Sequence, residues 1–183
     1  MDIVLFGSEY GTAKSYAVEL AKRIGAECIP YDETKHLDKY NTVIYVGALY
    51  AGGVVGLKTT LKKHDFYYKR FIIATVGLAD PTDEQNIHTI RKGIERQLPA
   101  DIFRSARIYH LRGGIDYFGL GLKHKTMMGL LYKKAIHLPE DKKTAEVRAM
   151  IDTYNKKVSF VDFSTLGRMI DDLKSDTFRI KKD

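Results

Sequence analysis

Short apolar runs, separated by longer stretches whose apolar residues recur every three or four positions, restrict what this chain can fold into more than any other feature. The runs are Ile3 to Phe6, Glu27 to Pro30, Thr42 to Val46, Phe71 to Val76 and Ala106 to Leu111. The third is apolar after its first residue, as a strand covered on both faces should be. Between the first two, Thr12 to Ile24 predicts a helix whose apolar side is Tyr16 or Ala17, Leu20, Ala21 and Ile24, with Gly25 as its stop. Residues 54–64 predict a second helix, and Asp83 caps a third that runs to Gln97. Strand and helix in alternation predict parallel pairing through right-handed crossovers. The expected architecture is therefore α/β, a doubly wound open sheet with helices on both faces.

The last third is less regular. Residues 120–136 and 144–154 predict helices, 158–161 an extended segment, and 164–173 a terminal helix capped by Ser164, with a frayed tail at 179–183. No internal repeat or Pro/Gly/Ser-rich linker divides the 183 residues, so one domain is expected. Cys28 has no second cysteine to pair with, which suits a reducing compartment, and no cluster of Cys and His suggests a metal. The start, Met1-Asp2-Ile3, has no basic leader, and no apolar run approaches the roughly 20 residues that span a bilayer. A cytoplasmic protein is expected, with peripheral contact at the inner face of the membrane left open. The net charge of +7 favours an anionic partner. No nucleic-acid-binding module is present, so nucleic acid is not an expected partner.

In an open α/β sheet, ligands bind beyond the carboxyl ends of the strands. The four loops at that edge carry Gly7 and Gly11, then Gly47, Gly52 and Gly53, then Gly77, then Gly113 and Gly114. The first loop, Gly7-Ser8-Glu9-Tyr10-Gly11-Thr12-Ala13, joins a buried strand to a helix start, where unpaired backbone N–H groups and the positive end of the helix dipole suit a phosphate. Ser8 and Thr12 add hydroxyls, and Gly11 lets the backbone come close. An ordinary strand-to-helix turn with a Ser or Thr cap has the same spacing. The glycines do not fit the dinucleotide fingerprint or a Walker loop, and Gly47 stands where a receiver domain needs an aspartate.

Phe6-Gly7-Ser8-Glu9-Tyr10-Gly11-Thr12-Ala13-Lys14 resembles the FMN phosphate loop of flavodoxins and diflavin reductases, Y-G-S-Q-T-G-T-A-E. Ser8, Gly11, Thr12 and Ala13 match, whereas Glu9, Tyr10 and Lys14 depart from it. Three further stretches are similar to one flavodoxin-like subfamily, the menaquinone-dependent protoporphyrinogen dehydrogenases. They are Gly47-Ala48-Leu49-Tyr50-Ala51-Gly52, Thr75-Val76-Gly77-Leu78, and His110 to Tyr117 with the basic segment after it. Val161-Asp162-Phe163 before the last helix is similar as well. The resemblance implies a five-stranded parallel sheet in the order 2-1-3-4-5 with a helical insertion at about 115–157. It implies FMN held by Ser8, Glu9, Tyr10, Gly11, Thr12 and Ala13 at the phosphate, and by Ala48, Leu49, Tyr50, Ala51 and Gly52, Val76, Gly77 and Leu78, and Gly113, Gly114 and Tyr117 around the ring. Tyr50 is the first choice for stacking on the ring and Tyr117 the second. A reduced porphyrin precursor would give electrons and a quinone would take them, with Arg112, Lys123 and Lys125 meeting propionates. No side chain presents itself as a general acid or base. An electron carrier without enzymatic activity and an interaction module that no longer binds FMN share the same fold.

On a helical wheel Met127, Met128, Leu131, Tyr132 and Ala135 share a broad apolar sector, widened by Leu130 and Ile136. Such a helix can pack on the core with solvated lysines, lie on an anionic membrane through residues 120–136, or wall a pocket for an apolar acidic substrate. A homodimer is a further partner left open.

Overall fold

The computed structural model describes residues 1–34, 36–50, 52–66 and 69–175. Ala51 and the tail at 179–183 lie outside them. The strands β1 (Asp2–Gly7), β2 (Glu27–Pro30), β3 (Thr42–Tyr50), β4 (Gly53–Val54), β5 (Arg70–Gly77) and β6 (Arg107–Arg112) form the main sheet. Five of them pair in parallel in the order β2-β1-β3-β5-β6, and β4 is an antiparallel appendage of β3. With β4 set aside, this is the order the flavodoxin resemblance implies.

Alternation of side chains along the strands builds two cores. Val4, Ile44, Val46, Ile72 and Ala74 face α1 (Thr12–Ile24), which contributes Tyr16, Ala17, Leu20 and Ala21, while Leu166, Met169 and Ile170 pack there as well. Ile3, Leu5, Val43, Tyr45 and Ile73 face the opposite way, onto Leu57, Ile90, Ile94 and Leu98. Each fully buried Leu or Ile of this kind contributes about 1.5–3 kcal/mol, so both faces hold the sheet strongly. The helix α1 ends at Gly25, whose φ of 67° allows its N–H to close on the Ala21 carbonyl.

Several boundaries differ from the sequence expectations. The Gly-rich stretch after the third strand is largely strand: β3 runs on to Tyr50 and folds back so that Leu49 faces Val54 and Tyr50 faces Gly53. Gly47 is no turn residue; a Cβ there would collide with Val54 and crowd the Tyr45 ring. The next helix, α2 (Leu57–Lys63), starts three residues later than expected because Gly56, at φ 75°, takes a left-handed conformation just before it. After α3 (Glu84–Glu95), Pro99 opens a separate short helix, α4 (Ala100–Ser105).

Beyond β6 the chain leaves the sheet. Strand β7 (Gly114–Asp116) pairs antiparallel with β8 (Lys157–Ser159), so the segment between them, which the resemblance implies as an insertion, departs and returns at one place. Between them lie α5 (Leu122–Ile136) and α6 (Ala145–Thr153), the latter capped by the Thr144 hydroxyl, which accepts from the Val147 N–H at 3.3 Å. Tyr16 of α1 pins both ends: its hydroxyl donates to the Arg112 carbonyl at 2.8 Å and accepts from the Asp162 N–H at 2.9 Å. The terminal helix α7 (Leu166–Lys174) follows a 3-10 turn, Phe163–Thr165. Asp162 rather than Ser164 caps that turn, accepting from the Ser164 N–H at 2.8 Å. Among the described residues no helix is long and apolar enough to cross a membrane, and no three His, Cys, Asp or Glu gather in a possible metal site.

Candidate functional site

The carboxyl ends of β1, β3, β5 and β6 converge under α5 and α6 and enclose a cavity of about 670 Å³. That size is ordinary for a small-molecule or cofactor site. At one side lies the first loop. Gly11, at φ 89°, precedes α1, its N–H donating to Ser8 Oγ at 3.1 Å. The first helical amides, from Thr12 on, have no acceptor inside the helix and carry the positive end of its dipole. A side chain would strain Gly11, and none of the chain crowds it. Glu9 turns to His124 on α5, 3.3 Å from carboxylate oxygen to Nε2, and so faces the insertion.

Tyr10 lines the cavity, edge-on to the His124 ring at 5.9 Å between centroids. Its hydroxyl is buried with no partner. Burial, then the neighbouring Tyr50, Glu9 and Tyr117, push its pKa up to about 12, so it stays a neutral hydroxyl at physiological pH. Tyr50, at the end of β3, donates its hydroxyl to the Met127 sulfur at 2.7 Å and thereby joins the floor of the cavity to its roof.

The loop after β5 is held from two sides. Glu146, in the first turn of α6, accepts from the Leu78 N–H at 3.1 Å and the Ala79 N–H at 3.2 Å. Gly77 makes room for it, since a Cβ there would collide with the carboxylate. Burial raises the Glu146 pKa above the usual glutamate value, against the lowering by the two amides and by Arg112. Arg112 donates from Nε to the Leu78 carbonyl at 3.1 Å, and its guanidinium carbon lies 3.9 Å from the centre of the Phe160 ring.

The structure brings most of the sequence-derived residues to one place. Tyr10, Thr12, Ala48, Leu49, Tyr50, Gly52, Val76, Gly77, Leu78, Gly113 and Gly114 all line the cavity. Ser8, Glu9 and Gly11 belong to the first loop beside it, and Ala13 is buried beneath that loop. Tyr117 does not line the cavity; it sits 3% exposed in a small core with Ile115 and Met128, against which Tyr10 and Leu78 pack, and is edge-on to Tyr154 at 5.3 Å. Arg112 is likewise committed to the Leu78 carbonyl and Phe160, and Lys125 donates to the Phe118 carbonyl at 3.2 Å. Lys123 lies in a groove on the outer side of α5. The cations that line the cavity are Arg96 and Lys134, and its acid is Glu146. None of the three stands in a motif. The only signals for them were one basic turn and an acid at a helix start.

The residues present fit FMN. A glycine-flanked helix start can take the phosphate, the apolar cavity adjoining it can take a flat ring, and the unpartnered Tyr10 hydroxyl offers a buried polar group. A Cβ at Gly113 would press on Val76 and on the Thr12 hydroxyl, so the backbone there is already at its closest approach.

No curated protein matches the sequence. Among solved structures, the Trp repressor binding protein of Bacillus subtilis is 17% identical, with 62% of this chain and 83% of that one covered and a TM-score of 0.41. A mutant flavodoxin of Pseudomonas aeruginosa is also 17% identical, with 74% and 97% covered and a TM-score of 0.39. The family model described as a flavodoxin domain matches residues 3–142, well over half of the sequence. This chain belongs to the flavodoxin-domain family.

Proposed function

We propose that the chain binds FMN in the cavity at the strand ends and works as an oxidoreductase resembling the menaquinone-dependent protoporphyrinogen dehydrogenases. What carries the reading is one continuous site: helix-start amides at one side, an apolar slot between the loops after β3 and β5, and a methionine-lined roof from α5 and α6. In this reading the amides at the start of α1, with the hydroxyls of Ser8 and Thr12, hold the phosphate. Tyr50 and Leu78 bound the ring, and the Tyr10 hydroxyl is a neutral donor for it. FMN, when bound, supplies the electron-transfer chemistry. The chain orients it and keeps water away with Leu49, Val76, Ile115, Met128 and Met150. A partner with a flat apolar body would enter beneath α5, where Arg96 and Lys134 can meet its acidic groups.

The outer side of α5 supports a contact with an anionic membrane, where a quinone would reside. Leu122 is 83% and Leu130 65% exposed, Lys123, Lys133 and Lys134 stand exposed among them, and the helix carries no acid. A second copy of the chain suits this face less well, because a twofold contact would oppose lysines to lysines.

The visible spectrum and fluorescence titration of the purified protein with FMN test the cofactor. Saturable quenching with a rise in melting temperature is expected, and no change in either would remove the reading. Anaerobic incubation of the loaded protein with protoporphyrinogen and a menaquinone analogue tests the substrates. Porphyrin fluorescence above the control without enzyme is the expected result.

A further inference from the structure

The loop after β5 does not satisfy all of its own backbone. Further along, Asp80 accepts from the Thr82 N–H at 2.8 Å and Asp83 from the Asn86 N–H at 3.1 Å, both local contacts. The Leu78 and Ala79 amides are different, because their acceptor is a carboxylate 68 and 67 residues away, on the inserted helix α6. These two consecutive N–H groups lie at the carboxyl end of a central strand, and both Leu78 and Glu146 line the cavity. Two adjacent donors at that position form a subsite for an acceptor edge, and the chain fills it with its own side chain.

We propose that Glu146 is a built-in competitor for the ligand, occupying the two amides that a bound ring's oxygen or nitrogen acceptors would use, so that binding requires α6 to release them. This rests on the flavin reading above. Three observations support it. A Cβ at Gly77 would collide with the Glu146 carboxylate and crowd Leu49, so only glycine leaves this carboxylate room at the two amides, on the side of the loop that faces the cavity. The carboxylate is a costly occupant, because burial disfavours its charged form and Arg112, the cation that acts on it, is engaged with the Leu78 carbonyl. Finally, α6 lies on a segment that leaves and rejoins the sheet at one place, the β7–β8 pair, and it packs on α5 and α3 rather than on the sheet itself. A competitor of this kind lowers the apparent affinity by the fraction of molecules in which it is released.

The experiment measures the dissociation constants of FMN and of riboflavin by fluorescence quenching for the unaltered chain, Glu146→Gln and Glu146→Ala. The Ala variant should bind FMN roughly tenfold more tightly, with Gln in between, since charge-assisted bonds to two amides are lost in the first and weakened in the second. Riboflavin, which has no phosphate, should show the same gain. A gain confined to FMN would mean that only the long-range charge near the phosphate had changed, and overturns the proposal. So does equal or weaker binding by a Gln variant that melts at the temperature of the unaltered chain. In the unaltered chain, saturating FMN should also speed amide hydrogen exchange in α6, and slower exchange there would show that the contact persists as a latch. If FMN and riboflavin bind to none of the three proteins, the flavin reading itself fails, and the proposal with it.

Discussion

His110 sits on β6 with Nδ1 2.8 Å from the Thr75 hydroxyl and Nε2 buried without a partner. Burial first, then the nearby Arg91, lowers its pKa from 6.5 to about 4. The unfolded chain therefore takes up this proton before the folded one does. Stability from this group is complete above pH 6.5 and is lost as the pH falls towards 4, by on the order of 2 kcal/mol once its partial exposure is allowed for. His110→Phe should flatten that part of the stability profile, measured by urea unfolding at pH 7 and pH 4.5. An unchanged slope would assign the acid sensitivity elsewhere. At this scale the first loop was legible in the sequence because its chemistry is local: a glycine, two hydroxyls and a helix start within six residues. Glu146 was not, since an acid in the first turn of a helix reads as a favourable charge on the dipole, and nothing local says which loop it will reach. The packing partner of Tyr117 was hidden for a similar reason. An aromatic at the end of a strand suits a ligand or a neighbouring tyrosine equally well, and here Tyr154 has it.

The helix α5 is the element whose two sides do different work. Met127, Met128, Leu131 and Ala135 line the cavity, Met128 and Ala135 being buried there, and Leu122 and Leu130 face outwards. Replacing Leu122 and Leu130 together by serine should leave the free energy of unfolding within about 1 kcal/mol of the parent, because exposed positions contribute little to folding. Sedimentation with vesicles containing phosphatidylglycerol should fall severalfold. Binding that survives the change, or that is equal on neutral vesicles, would argue against a contact made by this face. The strands were legible because burial on both faces leaves a continuous apolar run. The extension of β3 past Gly47 was hidden, since glycine reads as punctuation, whereas here it is demanded by the close approach of Val54. The three-residue strands β7 and β8 carry too short a pattern to announce themselves.

Across the whole molecule, the sheet order followed from the alternation of strands and helices together with the family resemblance, while the way the inserted segment is closed did not. That closure depends on two contacts distant in sequence: the pairing of Asp116 with Lys157, whose side chains also meet at 2.9 Å, and the Tyr16 hydroxyl between Arg112 and Asp162. Because the two strands run antiparallel and end opposite one another, residues 117–156 can in principle be cut out and the gap bridged by Asn-Gly, the dipeptide favoured in tight hairpins. Such a shortened chain should keep its far-ultraviolet circular dichroism per remaining strand and α1, and still take up phosphate-bearing flavin, though with its ring exposed to solvent. A chain shortened in this way would serve as a socket, into which different caps could be placed to ask which chemistry belongs to the socket and which to the cap.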